Sequence, residues 1–278
     1  MPIEFFETSD GLVHVSESFV SPTVYLDHWA IRLFSDNKTL QDRLVNALLS
    51  KQGTLLLSTF SFSEFTFIDD IQHCINAETF IERLLPNIYL TDFALNKLHE
   101  QELKEQNNLK RFWPSADLPQ LKLFAERAQD TTLGFTMKGF IKLAHDNRQY
   151  LSEVTKEVVS MVKAGLEITR RDPAYVAKAR KFIPSDKSTR THIIMAELLR
   201  TYNLDINASI TENDVMDIIH AAMPINCCDY VLLDGPWCER AEKMRARIKK
   251  SKIEMPIAKC YSARKNGIST FLSDLESF

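Results

Sequence analysis

Three short runs in this chain are continuously apolar at their centres, free of charge, and too short to be helices. They are Thr23-Val24-Tyr25-Leu26, Thr54-Leu55-Leu56-Leu57-Ser58 and Tyr230-Val231-Leu232-Leu233. A strand with one wet face alternates apolar and polar residues, whereas a strand covered on both faces reads as a continuous apolar run. Pro22 marks the start of the first run and Gly53 turns the chain into the second. Helical patterns follow each of them, over residues 28–34 and 39–49, from Ser61 onward, and over 239–250. Strands alternating with helices imply an α/β fold, a mainly parallel sheet flanked by helices on both faces. Two weaker strands are expected at 86–90 and 257–261, and further helices at 77–85 and 268–275.

Residues 93–205 contain no convincing strand. They hold long amphipathic stretches, at 95–109, 118–128 and 151–168, joined by polar links such as Pro114-Ser115-Ala116-Asp117 and Asp172-Pro173. The expectation is a single domain over residues 1–278, with 93–205 as a helical insertion or cap within it. A helix that starts at Thr211 carries an apolar face of Val215, Ile218, Ile219 and Ala222, and Pro224 is expected to end it within about a turn.

No apolar run approaches the roughly 20 residues that cross a bilayer, so no membrane association is expected. Residues 1–10 are acidic and do not read as a secretory signal; the expected location is the cytoplasm. The five cysteines, Cys74, Cys227, Cys228, Cys238 and Cys260, include no C-x-x-C pair. They read as reduced thiols rather than zinc ligands.

In open parallel sheets, ligands bind beyond the carboxyl ends of the strands. Asp27 ends the first strand, Asp234 ends the 230–233 strand, and Glu64 lies in the first turn of the helix after the second. Asp217 joins them if its helix starts at the same sheet edge. Clustered carboxylates repel one another, and a hard divalent cation with oxygen ligands is the natural compensation. Such an ion activates water and stabilises the leaving oxygen of a phosphodiester. Each acid alone also has an ordinary structural reading as a turn or cap residue. Ser61 and Glu64 in particular fit a capping box.

Val24-Tyr25-Leu26-Asp27, the run from Leu57 to Glu64, and the run from Asp214 to Ala222 followed by Cys228 to Asp234 resemble the sequential blocks of the PIN-domain family. The resemblance covers about a third of the chain, and its last two blocks are the most specific. It implies a PIN-like parallel sheet and a metal-dependent endoribonuclease using Mg²⁺ or Mn²⁺. Asp27, Glu64, Asp217 and Asp234 would be the catalytic and metal-binding residues, with Asp214 as a candidate for a second ion. Kinship with toxins of toxin–antitoxin pairs leaves an inhibitor protein open as a partner beside the RNA substrate, and self-association into a homo-oligomer is open as well. The chain has His28 where the family often has Thr or Ser after the first Asp, and Leu232 where it often has Thr. A lost hydroxyl weakens the orientation of ligands, so a second expectation stands beside the first: a catalytically weak PIN-like RNA-binding or scaffold protein.

The formal net charge of −3 hides an asymmetry: residues 1–100 carry 14 acids and 6 bases, and the rest of the chain is net positive. On a helix over 239–250, Arg240, Lys243 and Arg247 share a face. They are the expected substrate-binding cations, with His28 beside the acids as another candidate. The stretch from Arg170 to Arg190 is a second basic region. His220 reads as a helix-face histidine satisfied by a backbone carbonyl, Asp229 as the cap of the turn into its strand, and Phe112, Trp113 and Trp237 as packing residues.

Overall fold

The computed structural model describes residues 3–7, 13–66, 70–105, 109–128, 136–207 and 209–278; within these, the side chains of 3–7, 13–15, 59, 64, 65 and 124–128 are outside the description. An antiparallel hairpin of β1 (Ile3–Glu7) and β2 (Val13–Glu17) comes first. The main sheet comprises β3 (Thr23–Leu26), β4 (Thr54–Ser58), β5 (Ile88–Thr91), β6 (Tyr230–Leu232) and β7 (Lys259–Tyr261). Its order is β5-β4-β3-β6-β7 and every pairing is parallel. The chain therefore builds outward from β3 in one direction, then returns to the other side of β3 to lay down β6 and β7. The switch point lies between β3 and β6, in register at Tyr25–Val231 and Leu26–Leu232.

Helices α1 (His28–Asp36) and α2 (Lys38–Ser50) connect β3 to β4, and α3 (Thr59–Thr66) and α4 (Ile71–Glu82) connect β4 to β5. Between β5 and the helix before β6 the described residues form α5 (Leu95–Lys104), α6 (Leu118–Ala128), α7 (Phe140–Asp146), α8 (Arg148–Arg171), α9 (Pro173–Lys181), α10 (Arg190–Leu198) and α11 (Arg200–Leu204), with no strand among them. The chain then enters α12 (Glu212–Cys227), β6, α13 (Gly235–Lys250), β7 and α14 (Gly267–Glu276).

The uninterrupted apolar strands are covered on both sides. Val24, Leu26, Leu55, Leu57, Ile88 and Leu90 join one core with α1, α2, α4 and α14. Tyr25, Leu56, Tyr89, Val231 and Leu233 join the other with α5, α10, α12 and α13. Phe34 is fully buried in the first core, its ring 6.1 Å from Phe80 and 6.3 Å from Phe271. Truncating such a side chain to alanine costs about 3–5 kcal/mol. The outer edge of β5 is closed by the chain itself: Leu90 N–H donates to Glu17 Oε1 at 2.8 Å, and Asp117 N–H donates to the Leu90 carbonyl at 2.9 Å. An edge so occupied offers no template for a further strand.

Several sequence expectations need correction. The β1–β2 hairpin was not expected. The helix expected at 77–85 runs over Ile71–Glu82, because Asp70 caps it by accepting from Gln72 N–H. Within the 95–109 stretch the described helix is Leu95–Lys104, and residues 106–108 lie outside the described residues. The helix that starts after Thr211 ends at Cys227, three residues past Pro224, within the expected turn. The helix expected at 239–250 begins at Gly235, capped by Asp234 with Pro236 in its first turn, where a proline lacks no needed N–H. Ser61 is not a helix cap: α3 already starts at Thr59, and Ser61 N–H donates to Ser58 Oγ at 3.1 Å.

Candidate functional site

Parallel strands deliver their carboxyl ends to one edge of the sheet, and a helix leading into a strand must run back from that edge. The start of α12 therefore lies at the carboxyl end of β6, and Asp217, in its second turn, lies there too. At this edge a cleft of about 510 Å³ is lined by His28 from α1, Thr155 and Lys156 from α8, and Glu212, Asn213 and Asp217 from α12.

Asp27 follows β3 directly, and its N–H donates to the Leu232 carbonyl at 3.0 Å, which ties the ends of β3 and β6 together. Its carboxylate caps α1, accepting from His28 N–H at 2.8 Å, and lies 3.1 Å from His28 Nδ1. A helix N-terminus favours a negative charge in that place. Asp27 is held largely inside the structure, with 13 % of its side chain exposed, beside the more open His28. Asp234 is a cap as well: Oδ1 accepts from Trp237 N–H at 3.0 Å at the start of α13.

The structure thus brings Asp27, His28 and Asp217 to the edge where the cleft opens, while Asp234 occupies the neighbouring helix start and does not line the cleft. The Glu64 side chain lies outside the described residues; the backbone places residue 64 within α3. Among the described residues, no three His, Cys, Asp or Glu side chains converge closely enough to hold an ion. By type, the carboxylates at this edge suit Mg²⁺ or Mn²⁺, which prefer oxygen donors and keep several waters.

Asp214 has a different post. It completes a capping box, accepting from Thr211 N–H at 2.9 Å and Thr211 Oγ1 at 2.6 Å, and it takes the Tyr202 hydroxyl at 2.8 Å. Burial pushes its pKa up, but the donors from Thr211 and Tyr202 and the charge of Arg240 outweigh this and hold it below the ordinary aspartate value. Its oxygens are already occupied by structural donors.

The basic face of α13 is real but partly spent. Arg240, Lys243 and Arg247 line one groove of about 490 Å³ with Arg200. Arg247 reaches Glu197 with two hydrogen bonds, at 2.5 and 3.1 Å, and Glu197 is almost wholly buried. The Arg240 guanidinium stacks over Tyr202 at 4.3 Å and Trp237 at 4.8 Å. Lys243 is exposed.

Other residues resolve as structure. His220 is buried and its Nδ1 lies 2.7 Å from the Tyr25 hydroxyl, so a side chain rather than the expected backbone carbonyl is its partner there. Asp229, at the amino end of β6, accepts from Ser21 Oγ, Thr23 N–H and Thr23 Oγ1 and pairs with Arg111. Phe112 and Trp237 are buried, whereas Trp113 is 56 % exposed.

Two cations at the acidic edge escaped sequence reading. Lys156 comes from α8, where Ser152, Thr155, Lys156 and Val159 recur at helical spacing and line the cleft. That periodicity is visible in the sequence, but what the face meets is not. Arg264, in the turn after β7, stands over Gly235, where even a Cβ would come within about 3 Å of the guanidinium.

No protein-family model matches the chain, and neither a curated protein nor a solved structure matches it. Among the described residues no helix is long and apolar enough to cross a membrane.

Proposed function

We propose that the cleft beside the β3–β6 switch point is the active site of a metal-dependent endoribonuclease of PIN-like type. One observation carries the reading: two strand-end aspartates, Asp27 and Asp234, flank the switch point of a parallel sheet, and a third, Asp217, lines the cleft beside it. That crevice is where open α/β sheets bind ligands. The sequence blocks that resemble the PIN family supply the same acids.

When bound, Mg²⁺ or Mn²⁺ would supply an activated water and charge stabilisation for the leaving oxygen. Asp27, Asp217 and Asp234 would hold the ion, with Glu64 as a fourth donor or as the group that orients the water. The protein's own part is positional. The His28 N–H fixes the Asp27 carboxylate. Lys156 on the facing wall offsets the acids and gives a phosphate a cation to meet. Lys243 extends the positive surface along α13.

A second reading, an RNA-binding or scaffold protein with weak or no catalysis, is favoured by a specific observation. Asp27 and Asp234 serve as helix caps, and no three described ligand-type side chains converge. A cleavage assay separates the two readings. On a mixed-sequence RNA in Mn²⁺, the nuclease reading expects cutting that a chelator abolishes, that Ca²⁺ supports poorly, and that Asp27→Asn or Asp217→Asn removes. RNA binding without cutting in Mn²⁺ would establish the second reading instead, and undiminished cutting in excess chelator would sink the metal mechanism.

A further inference from the structure

At the far end of α8 from the cleft, a pocket of about 690 Å³ opens between the last turns of α8, one side of α9 and the chain before α12. Pro173, Val176, Ala177 and Arg180 recur at helical spacing and line one wall, and no residue of α9 is buried. A nine-residue helix with no buried residue gains little from its own core contacts. Its position is fixed from outside: Arg200 donates to the carbonyls of Ala179 and Arg180 at 3.2 and 3.3 Å, and Asp172 caps the other end. Beneath it, Arg170 is largely buried and donates to the Asp205 carbonyl.

Three arginines line the pocket, Arg170, Arg171 and Arg180, with one acid, Glu167. Arg171 meets that carboxylate only at 3.7 Å, with 81 % of its side chain exposed. The pocket also has an apolar side: Val176, Ile206 and Ile210 line it, and Ile206 is 61 % exposed. Guanidiniums match phosphate oxygens in a two-pronged geometry and also stack on flat rings. An apolar surface ringed by arginines suits a ligand with a phosphate at one end and a ring at the other.

We propose that this pocket binds a nucleoside phosphate, either free or as one residue of an RNA strand. The site goes beyond the nuclease reading and does not depend on the cleft's chemistry. The RNA alternative has a geometric basis, because Lys156 and Arg170 are on the same helix, about 21 Å apart along its axis. One strand can therefore touch both places.

The test uses the full chain and two variants. Arg171→Glu with Arg180→Glu reverses two exposed charges, and Ala177→Trp fills the pocket without changing charge. Thermal melting checks that both stay folded. Binding of AMP and of a fluorescent 12-residue RNA is then titrated for each protein. Saturable AMP binding that falls at least about tenfold in both variants supports a free nucleotide ligand. No AMP binding, with RNA affinity falling by a similar factor in both variants, supports the RNA residue. AMP and RNA affinities that stay at wild-type values in both folded variants overturn the proposal. RNA cutting in Mn²⁺ is assayed separately for wild type and both variants, so a failure of the nuclease reading leaves the AMP and RNA titrations of this pocket interpretable.

Discussion

The two ends of the β3–β6 strand pair both carry aspartates, and the two sets sit in different surroundings. At the amino end, Asp229 accepts from three donors of Ser21 and Thr23 and pairs with Arg111. It bolts the start of β6 to the start of β3 and to the loop before α6. At the carboxyl end, Asp27 has a short-range cap bond and a histidine neighbour, and Asp217 lines a cleft. The residue type alone says nothing of the role. A carboxylate whose lone pairs are filled by well-placed donors is structural; the proposed function assigns the chemistry to the acids beside the cleft.

The contrast breaks first at Asp229. Replacing it with alanine strands Arg111 and several donors in a mostly buried setting, at a cost of about 3 kcal/mol. Chemical denaturation should show this, while Asp217→Asn, which keeps the side chain's size and can still hydrogen-bond, should cost less than about 1 kcal/mol. Burial alone would raise the Asp229 pKa, but the donors from Thr23 and Ser21 and the Arg111 charge hold it below the ordinary value. A depressed folded pKa means that its contribution is complete above the ordinary carboxylate range and is lost as the pH falls through the folded value. Equal stability losses for the two variants would erase the distinction between the ends.

The α13 cations extend the same contrast. Arg247→Ala leaves the buried Glu197 carboxylate without its guanidinium, and a loss of about 2 kcal/mol is expected in denaturation. Lys243→Ala should cost within about 0.5 kcal/mol, as exposed substitutions do. Its effect should appear in RNA binding instead, with the salt dependence made shallower by roughly one counterion. If Lys243→Ala leaves both affinity and salt slope untouched, α13 is not on the RNA path.

A pH-dependent effect is expected at the closed edge of β5. Burial pushes the Glu17 carboxyl up to about 8, against the Leu90 N–H bond that favours the anion, with the Asp117 charge adding to the rise. Its second oxygen has no hydrogen-bond partner among the described residues. The folded state then holds a proton that the unfolded state releases near its ordinary pKa. Stability from this group is full below that value and falls as the pH rises toward 8, by at most about 1.4 kcal/mol per pH unit. Glu17→Gln should flatten that slope in melting temperatures taken from pH 5 to 8. An unchanged slope would show that Glu17 does not set it.

What the sequence disclosed follows from range. Strands β3, β4 and β6 were readable because they are buried on both faces and bounded by Pro22, Gly53 and Asp234. The switch-point acids were readable because strand-end position is a local property. The cap at Ser58 was missed because Ser61 and Glu64 mimic a capping box three residues later. The β1–β2 hairpin carries no long apolar run to mark it, because Ile3–Glu7 includes two glutamates and Val13–Glu17 alternates apolar and polar residues. The commitment of Arg247 to Glu197 spans 50 residues, and the placement of Lys156 opposite Asp217 depends on how α8 packs on α12. No local pattern reports either. The α13 face was therefore seen as three equal cations, whereas only Lys243 is clear of buried or stacked partners.

On the proposed function, the carboxyl end of the β3–β6 pair is a divalent-cation site and the amino end is not. Anomalous diffraction from crystals soaked in Mn²⁺ tests it directly. A peak bound by Asp27 and Asp217 is expected, with Asp234 or Glu64 turned toward it, and no peak at Asp214 or Asp229. A peak at Asp214 or Asp229 alone, or no peak at the Asp27–Asp217 edge at saturating Mn²⁺, would contradict it.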